Sequence, residues 1–193
     1  MISLTLNPGL NLLNKSMTDE SLRYPIGRFS PPAEVTAQDR ENYLNEIKKL
    51  PAAMREAVAG LTDDQLNTPY RPEGWTLRQV VHHVPDSHAN SYIRYRWTLT
   101  ENQPTIKAYY EDRWGELPDA SSAPIEPSLQ LLEALHQRWL LLLRAMTDKD
   151  YARSLVHPQT SKIIRLDTML ALYAWHGQHH VAHIQSLKER EGW

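Results

Sequence analysis

The stretch YAWHGQHHVAHI, residues 173–184, carries four of the chain's nine histidines: His176, His179, His180 and His183. From Asp167 to Arg190 there is no proline, and only Gly177 weakens helix formation. One long helix is predicted there, with Asp167 capping its start and Thr168 as its first residue. On that helix Met169, Tyr173, His176, His180, Ile184 and Leu187 recur every three or four residues and share one mostly apolar face. His176 and His180 therefore point inward one turn apart, the spacing that lets two imidazoles hold one metal ion. His179 falls with Leu172, Trp175 and Ala182 on a neighbouring face, and His183 lies between the two. A lone inward histidine is usually a hydrogen-bonded core residue. Two of them need partners, and a metal site built on them needs a third ligand from elsewhere.

The stretch VVHHVPDSHANSYIR, residues 80–94, supplies the candidate. Thr76-Leu77-Arg78-Gln79 is a capping-box signature, and it predicts a helix running to about Thr100, before Pro104. Leu77, Val80, Val81, Val84, Ser91 and Tyr95 form its inner side. Pro85 removes the hydrogen bond that would reach Val81 and predicts a kink just beyond His83. Either His82 or His83 could face the His176–His180 pair, and the position of His83 at the edge of the apolar face favours it. Asp86, one turn on, reads as a second acceptor or a solvated carboxylate. His88 and His136 read as single surface or interface histidines with nothing to pair them. Asp86, Asn90, Arg94 and Tyr173 stand near the ligands in helical register, yet no catalytic acid or base is assignable.

Two further helices complete the pattern. Tyr43, Ile47, Leu50, Met54, Ala57 and Val58 give residues 37–59 a helical period, which Pro51 is expected to bend or divide. Thr62–Gln65 is a second capping box, before a surface connection over 67–75. Ser128 opens a helix over Leu129–Met146 whose leucines at 131, 132, 135 and 140–143 lie on more than one face, which suggests a subunit interface and a homodimer. Residues 103–127 read as a long connection with a helical turn around Glu111–Trp114, and Asp148–Arg165 as a second connection. Four long helices without an alternating strand pattern predict an all-α protein, a four-helix bundle with a long crossover connection. Residues 1–23 read as an N-terminal tail and 24–193 as a single domain, with Met17 an alternative start. Pro25, Pro31 and Pro32 keep the arm after the tail extended over the domain or a partner subunit.

Composition narrows the function. A net charge of −2 argues against a general nucleic-acid or membrane-surface binder. With no cysteine, a metal must be held by His, Asp, Glu or water, and a thiol nucleophile cannot come from the chain. No apolar run reaches membrane-spanning length and no signal pattern opens the chain, so a cytoplasmic protein is expected.

The segments YPIG at 24–27, DDQLNTPYRPEGWTLRQVVHH at 63–83, DSHANSYIRYR at 86–96, ALHQRWLLLLR at 134–144 and YAWHGQHHVAHI carry a resemblance. Together they resemble the bacterial YfiT-type metal-dependent hydrolases, within the DinB superfamily of metal-binding four-helix bundles. The resemblance implies a three-histidine site of His83, His176 and His180 that holds one divalent ion per subunit, zinc or nickel. It also implies a dimeric, cytoplasmic protein. Three neutral imidazoles leave a coordination position open, so the expected function is a metal-dependent hydrolase that activates water for a small-molecule substrate. Superfamily resemblance also implies an alternative, a bacillithiol-type thiol S-transferase acting on electrophiles. A third reading is a non-catalytic metal-binding dimerisation module.

Overall fold

The computed structural model describes residues 19–193, so the expectations for residues 1–16 and for a start at Met17 lie outside the described residues. The elements run α1 (Asp19–Arg23), α2 (Ala37–Val58), α3 (Asp63–Leu66), α4 (Leu77–Thr100), α5 (Glu111–Gly115), α6 (Pro118–Ser121), α7 (Glu126–Ala145), α8 (Asp148–Tyr151), β1 (Ser154–Val156), β2 (Ile163–Arg165) and α9 (Leu166–Glu191). The four long helices α2, α4, α7 and α9 form a four-helix bundle. Helix α2 packs chiefly against α7 and α9, and α4 chiefly against the same two. Helices consecutive in the bundle, α2 and α4, thus stand at opposite corners, as do α7 and α9.

Local chemistry sets the boundaries. Thr36, Thr62, Thr76 and Thr147 each cap a helix through a capping box, so orphan N–H groups are satisfied at four starts. Gln79, the far member of the Thr76 box, also donates to the Gly115 carbonyl at 2.9 Å and ties α5 to the start of α4.

Several expectations are corrected. Pro51 does not divide α2, and both Pro51 and Pro85 lie inside helices that continue past them. Burial of Val81, Val84, Pro85 and His88 holds α4 together across the missing hydrogen bond, since packing supplies most helical stability. Helix α9 starts at Leu166 with Arg165 as its cap, and Asp167 sits inside the first turn. There its carboxylate accepts from the Thr168 N–H at 2.7 Å and pairs with Arg165, where the positive end of the helix favours it. Helix α7 begins at Glu126, with Pro127 in the first turn, where its missing N–H costs nothing. The second connection holds a small antiparallel hairpin, β1–β2, with Leu155 opposite Ile164. Three-residue strands are too short to show alternation in a sequence. The 19–23 part of the tail is helix α1, which contacts α9.

The core divides in two. One cluster gathers Leu50, Met54, Val80, Val84, Leu132 and Ile184, and the other Ile47, Tyr95, Trp139, Leu143 and Leu170. Along α4, α7 and α9 alike, histidines stand between the two clusters: His88, His136, and His176, His179 and His180, with Ser87 and Ser91 beside His88. A polar layer is thus sandwiched between two apolar ones.

Candidate metal centre

His83 on α4 meets His176 and His180 on α9, and one ring nitrogen of each lies within 4.8 Å of the others. The Nε2 atoms of His83 and His176 are 3.3 Å apart. The 83–180 and 176–180 ring centroids are separated by 4.9 and 4.5 Å. His83 and His180 are buried, and His176 is partly open to a cavity. Trp75, in the connection ahead of α4, tilts against the His83 ring at 4.6 Å and fixes its direction.

The tandem pair is resolved by the turn of the helix, about 100° per residue. His82 points instead to α7, with Nδ1 2.7 Å from Ser128 Oγ and Nε2 3.2 Å from the Ala123 carbonyl. His179 turns away from the trio to stack on Trp175, 4.4 Å between centroids at 17°.

His88 and His136 are where the sequence reading fails. Both are buried, and they pair with each other, His88 Nδ1 to His136 Nε2 at 2.9 Å. His88 Nε2 then lies 3.2 Å from Nδ1 of His176, while His136 Nδ1 lies 2.7 Å from the Ile47 carbonyl. The two stand on different helices, so periodicity along either one could not show the pairing. His183 behaves similarly. Its Nε2 is 3.0 Å from the Arg23 carbonyl, its Nδ1 is 3.4 Å from Nδ1 of His180, and its ring stacks on Tyr70 at 4.0 Å.

Asp86 takes no hydrogen bond from these histidines. Its carboxyl is pushed up to about 6, first by burial and then by Asp119. Of the four residues expected to line the groove only Arg94 lines the cavity, because Tyr173 is buried among Trp139 and His88 and Asn90 bonds the Asp86 carbonyl.

Electrostatics favour neutral rings throughout. All nine histidines are held below their ordinary range, with burial the leading cause each time. His83 falls to about 4, helped by His179. Neutral imidazoles keep a lone pair, and lone pairs converging on one point suit a cation. Two nitrogens bound tetrahedrally at ordinary zinc distances stand about 3.3 Å apart, the separation seen between His83 and His176. The donor set therefore fits a divalent metal ion.

The trio opens into a cavity of about 640 Å³ walled by Tyr70, Trp75, Ser87, Arg94, Tyr109 and His157, among others. Burial pushes the Tyr109 phenol up, so it stays protonated beside Ser87. Arg23 and Tyr24 reach the same cavity from the N-terminal arm.

Comparison with known proteins agrees with this architecture. The model of the DinB superfamily matches residues 46–184. A protein of Geobacillus thermodenitrificans is 49% identical over 91% of this chain and 99% of its own length. YfiT of Bacillus subtilis is 47% identical over 92% of this chain and 99% of its own. Both are named for an expected metal-dependent hydrolysis. The solved structure of YfiT, described as a probable metal-dependent hydrolase with an unusual four-helix bundle topology, superposes with a TM-score of 0.88 over 90% of this chain and 99% of that one. A mycothiol-dependent maleylpyruvate isomerase shares the fold alone, at 16% identity and a TM-score of 0.61 over 75% of this chain and 60% of that one.

Proposed function

The chain belongs to the DinB superfamily, and on that premise we propose that it is a metal-dependent hydrolase of a small-molecule substrate, with His83, His176 and His180 holding one divalent ion. The observation that carries the reading is the convergence of three neutral ring nitrogens within 4.8 Å at the floor of an open cavity. The naming of the relatives supports it. All-imidazole ligation suits zinc and nickel equally. An ion so held keeps a coordination position open, from which it can polarise a small molecule at neutral pH.

The chain's own residues do the remaining work. Burial keeps the three rings unprotonated, and Trp75 holds His83 in place. Tyr109 lines the cavity, and Arg23, Arg71 and Arg94 share its wall with Glu73, Glu111 and Asp112, so the wall is polar with charges of both signs and suits a polar substrate.

Metal content per subunit tests the assignment. It is expected to fall severely in His83→Ala, His176→Ala and His180→Ala, because two imidazoles make a poor site. It stays near wild type in His82→Ala and His179→Ala. Loss in His179→Ala with retention in His180→Ala would sink the register. On the metal-loaded protein, chelator-sensitive cleavage in an ester and amide panel is expected. Turnover seen only with an added small thiol and an electrophile would replace hydrolysis by thiol transfer. Silence in both arms, with metal removal melting the protein, would leave a non-catalytic metal module.

A further inference from the structure

His88, His136 and His183 do not reach the cavity floor as ligands, yet each is bonded to the trio directly or through one neighbour. Their arrangement has a direction. A backbone carbonyl only accepts hydrogen bonds, so the nitrogen facing it must carry the proton. The Ile47 carbonyl therefore requires His136 to be protonated on Nδ1. A neutral ring has one proton, so His136 Nε2 is bare and accepts from His88 Nδ1–H. His88 Nε2 is then bare and accepts from His176 Nδ1–H. That leaves Nε2 of His176 bare, and it is the atom facing His83.

The second arm repeats the logic from another carbonyl. Arg23 O accepts from His183 Nε2–H, so His183 Nδ1 is bare and accepts from His180 Nδ1–H, leaving Nε2 of His180 free. Among the described residues no such chain stands behind His83.

We infer that His88, His136 and His183 are positioning residues: two imidazole chains, each ending on a main-chain carbonyl, fix His176 and His180 as Nδ1–H tautomers with Nε2 offered to the metal. Hydrogen-bonded partners commonly set the tautomer of a metal-binding histidine, and here the partners are themselves histidines. The chains are not proton wires. A carbonyl neither takes nor gives a proton at its end, so each chain orients and does not conduct.

The inference rests on the proposed metal site, so the test reads tautomers before metal. In metal-free protein with 15N-labelled histidine, NMR should show His176 and His180 as Nδ1–H tautomers. In His183→Phe, which keeps a ring against Tyr70 but removes the acceptor, His180 should lose that preference while His176 keeps it. His88→Phe should do the reverse. His88→Gln, which restores an acceptor, should recover the His176 tautomer and covers the case in which His88→Phe fails to fold. Zinc affinity should fall about 10–100-fold in His183→Phe. Nε2–H tautomers in the wild type, or unchanged tautomers in His183→Phe, overturn the inference. Correct tautomers in a wild type that binds no metal uphold the two chains and defeat the proposed function instead.

Discussion

Gly177 lies next to His176, at the point where α9 presses on α2. A Cβ there would stand 2.4 Å from Leu50 Cδ2, 2.9 Å from its Cδ1 and 3.1 Å from its Cγ. The whole end of a buried Leu50 is in the way, so a rotation of that side chain does not clear it. Alanine would gain about 1 kcal/mol of helix propensity, against about 1–3 kcal/mol for overpacking. Gly177→Ala is expected to be net destabilising by about 1 kcal/mol, and the same shift moves His176 and weakens metal binding. A urea midpoint equal to or above wild type would defeat this. The inward placement of His176 and His180 was legible at this scale because register alone sorts neighbours on one helix, with His179 aside, whereas the choice of His83 over His82 needed the facing helix. His88 and His136 were not, since a sequence reports which face a residue occupies and not what an opposing helix places against it.

Among the elements, capping boxes and periodicity disclosed the long helices and α3 to within a few residues, because those signals are local. The hairpin, α6 and α8 were missed, being too short for any period, and the continuity of α4 through Pro85 depends on packing no local rule contains. Helix α7 was read as leucine-rich on more than one face. Leu132 and Leu143 go to the core, while Leu131 and Leu141 face outward, the latter 74% exposed. Beside them, between α2 and α7, runs a groove lined by Pro51, Ala52, Leu140 and Leu141. We expect a homodimer through this face, and Leu141→Lys to dissociate it. Light scattering that returns the mass of one 22.3 kDa chain for the wild type at micromolar concentration would count against it.

For the whole molecule, the histidine layer sets the response to acid. An unfolded histidine titrates near about 6.5, whereas in the folded protein His83, His136 and His183 titrate at about 4 and His179 at about 3. Between those values the unfolded chain binds more protons, so stability present above pH ~6.5 is lost as pH falls through the window to about 4. One group shifted from 6.5 to 4 contributes on the order of 3 kcal/mol, and a few of them rival a whole domain's stability of roughly 5–15 kcal/mol. Asp86, raised to about 6, acts in the opposite sense but is a single group. Urea midpoints of the chelated protein are expected to fall by about half between pH 7.5 and 5. A flat profile over that range would defeat the neutral-layer account.

If the proposed metal site holds, the contact between Arg23 and His183 joins the N-terminal arm to that site in a single equilibrium. Linkage is reciprocal: whatever holds His180 in its ligating form also holds His183 against α1, and a loosened arm weakens the ion by the same factor. The arm is thereby a gauge of occupancy. The Tyr24 and Gly27 amides, bonded to Glu20 O and Tyr24 O at 2.9 Å each, should exchange more slowly with deuterium once zinc is added. In His183→Phe the same amides should no longer register whether the ion is there.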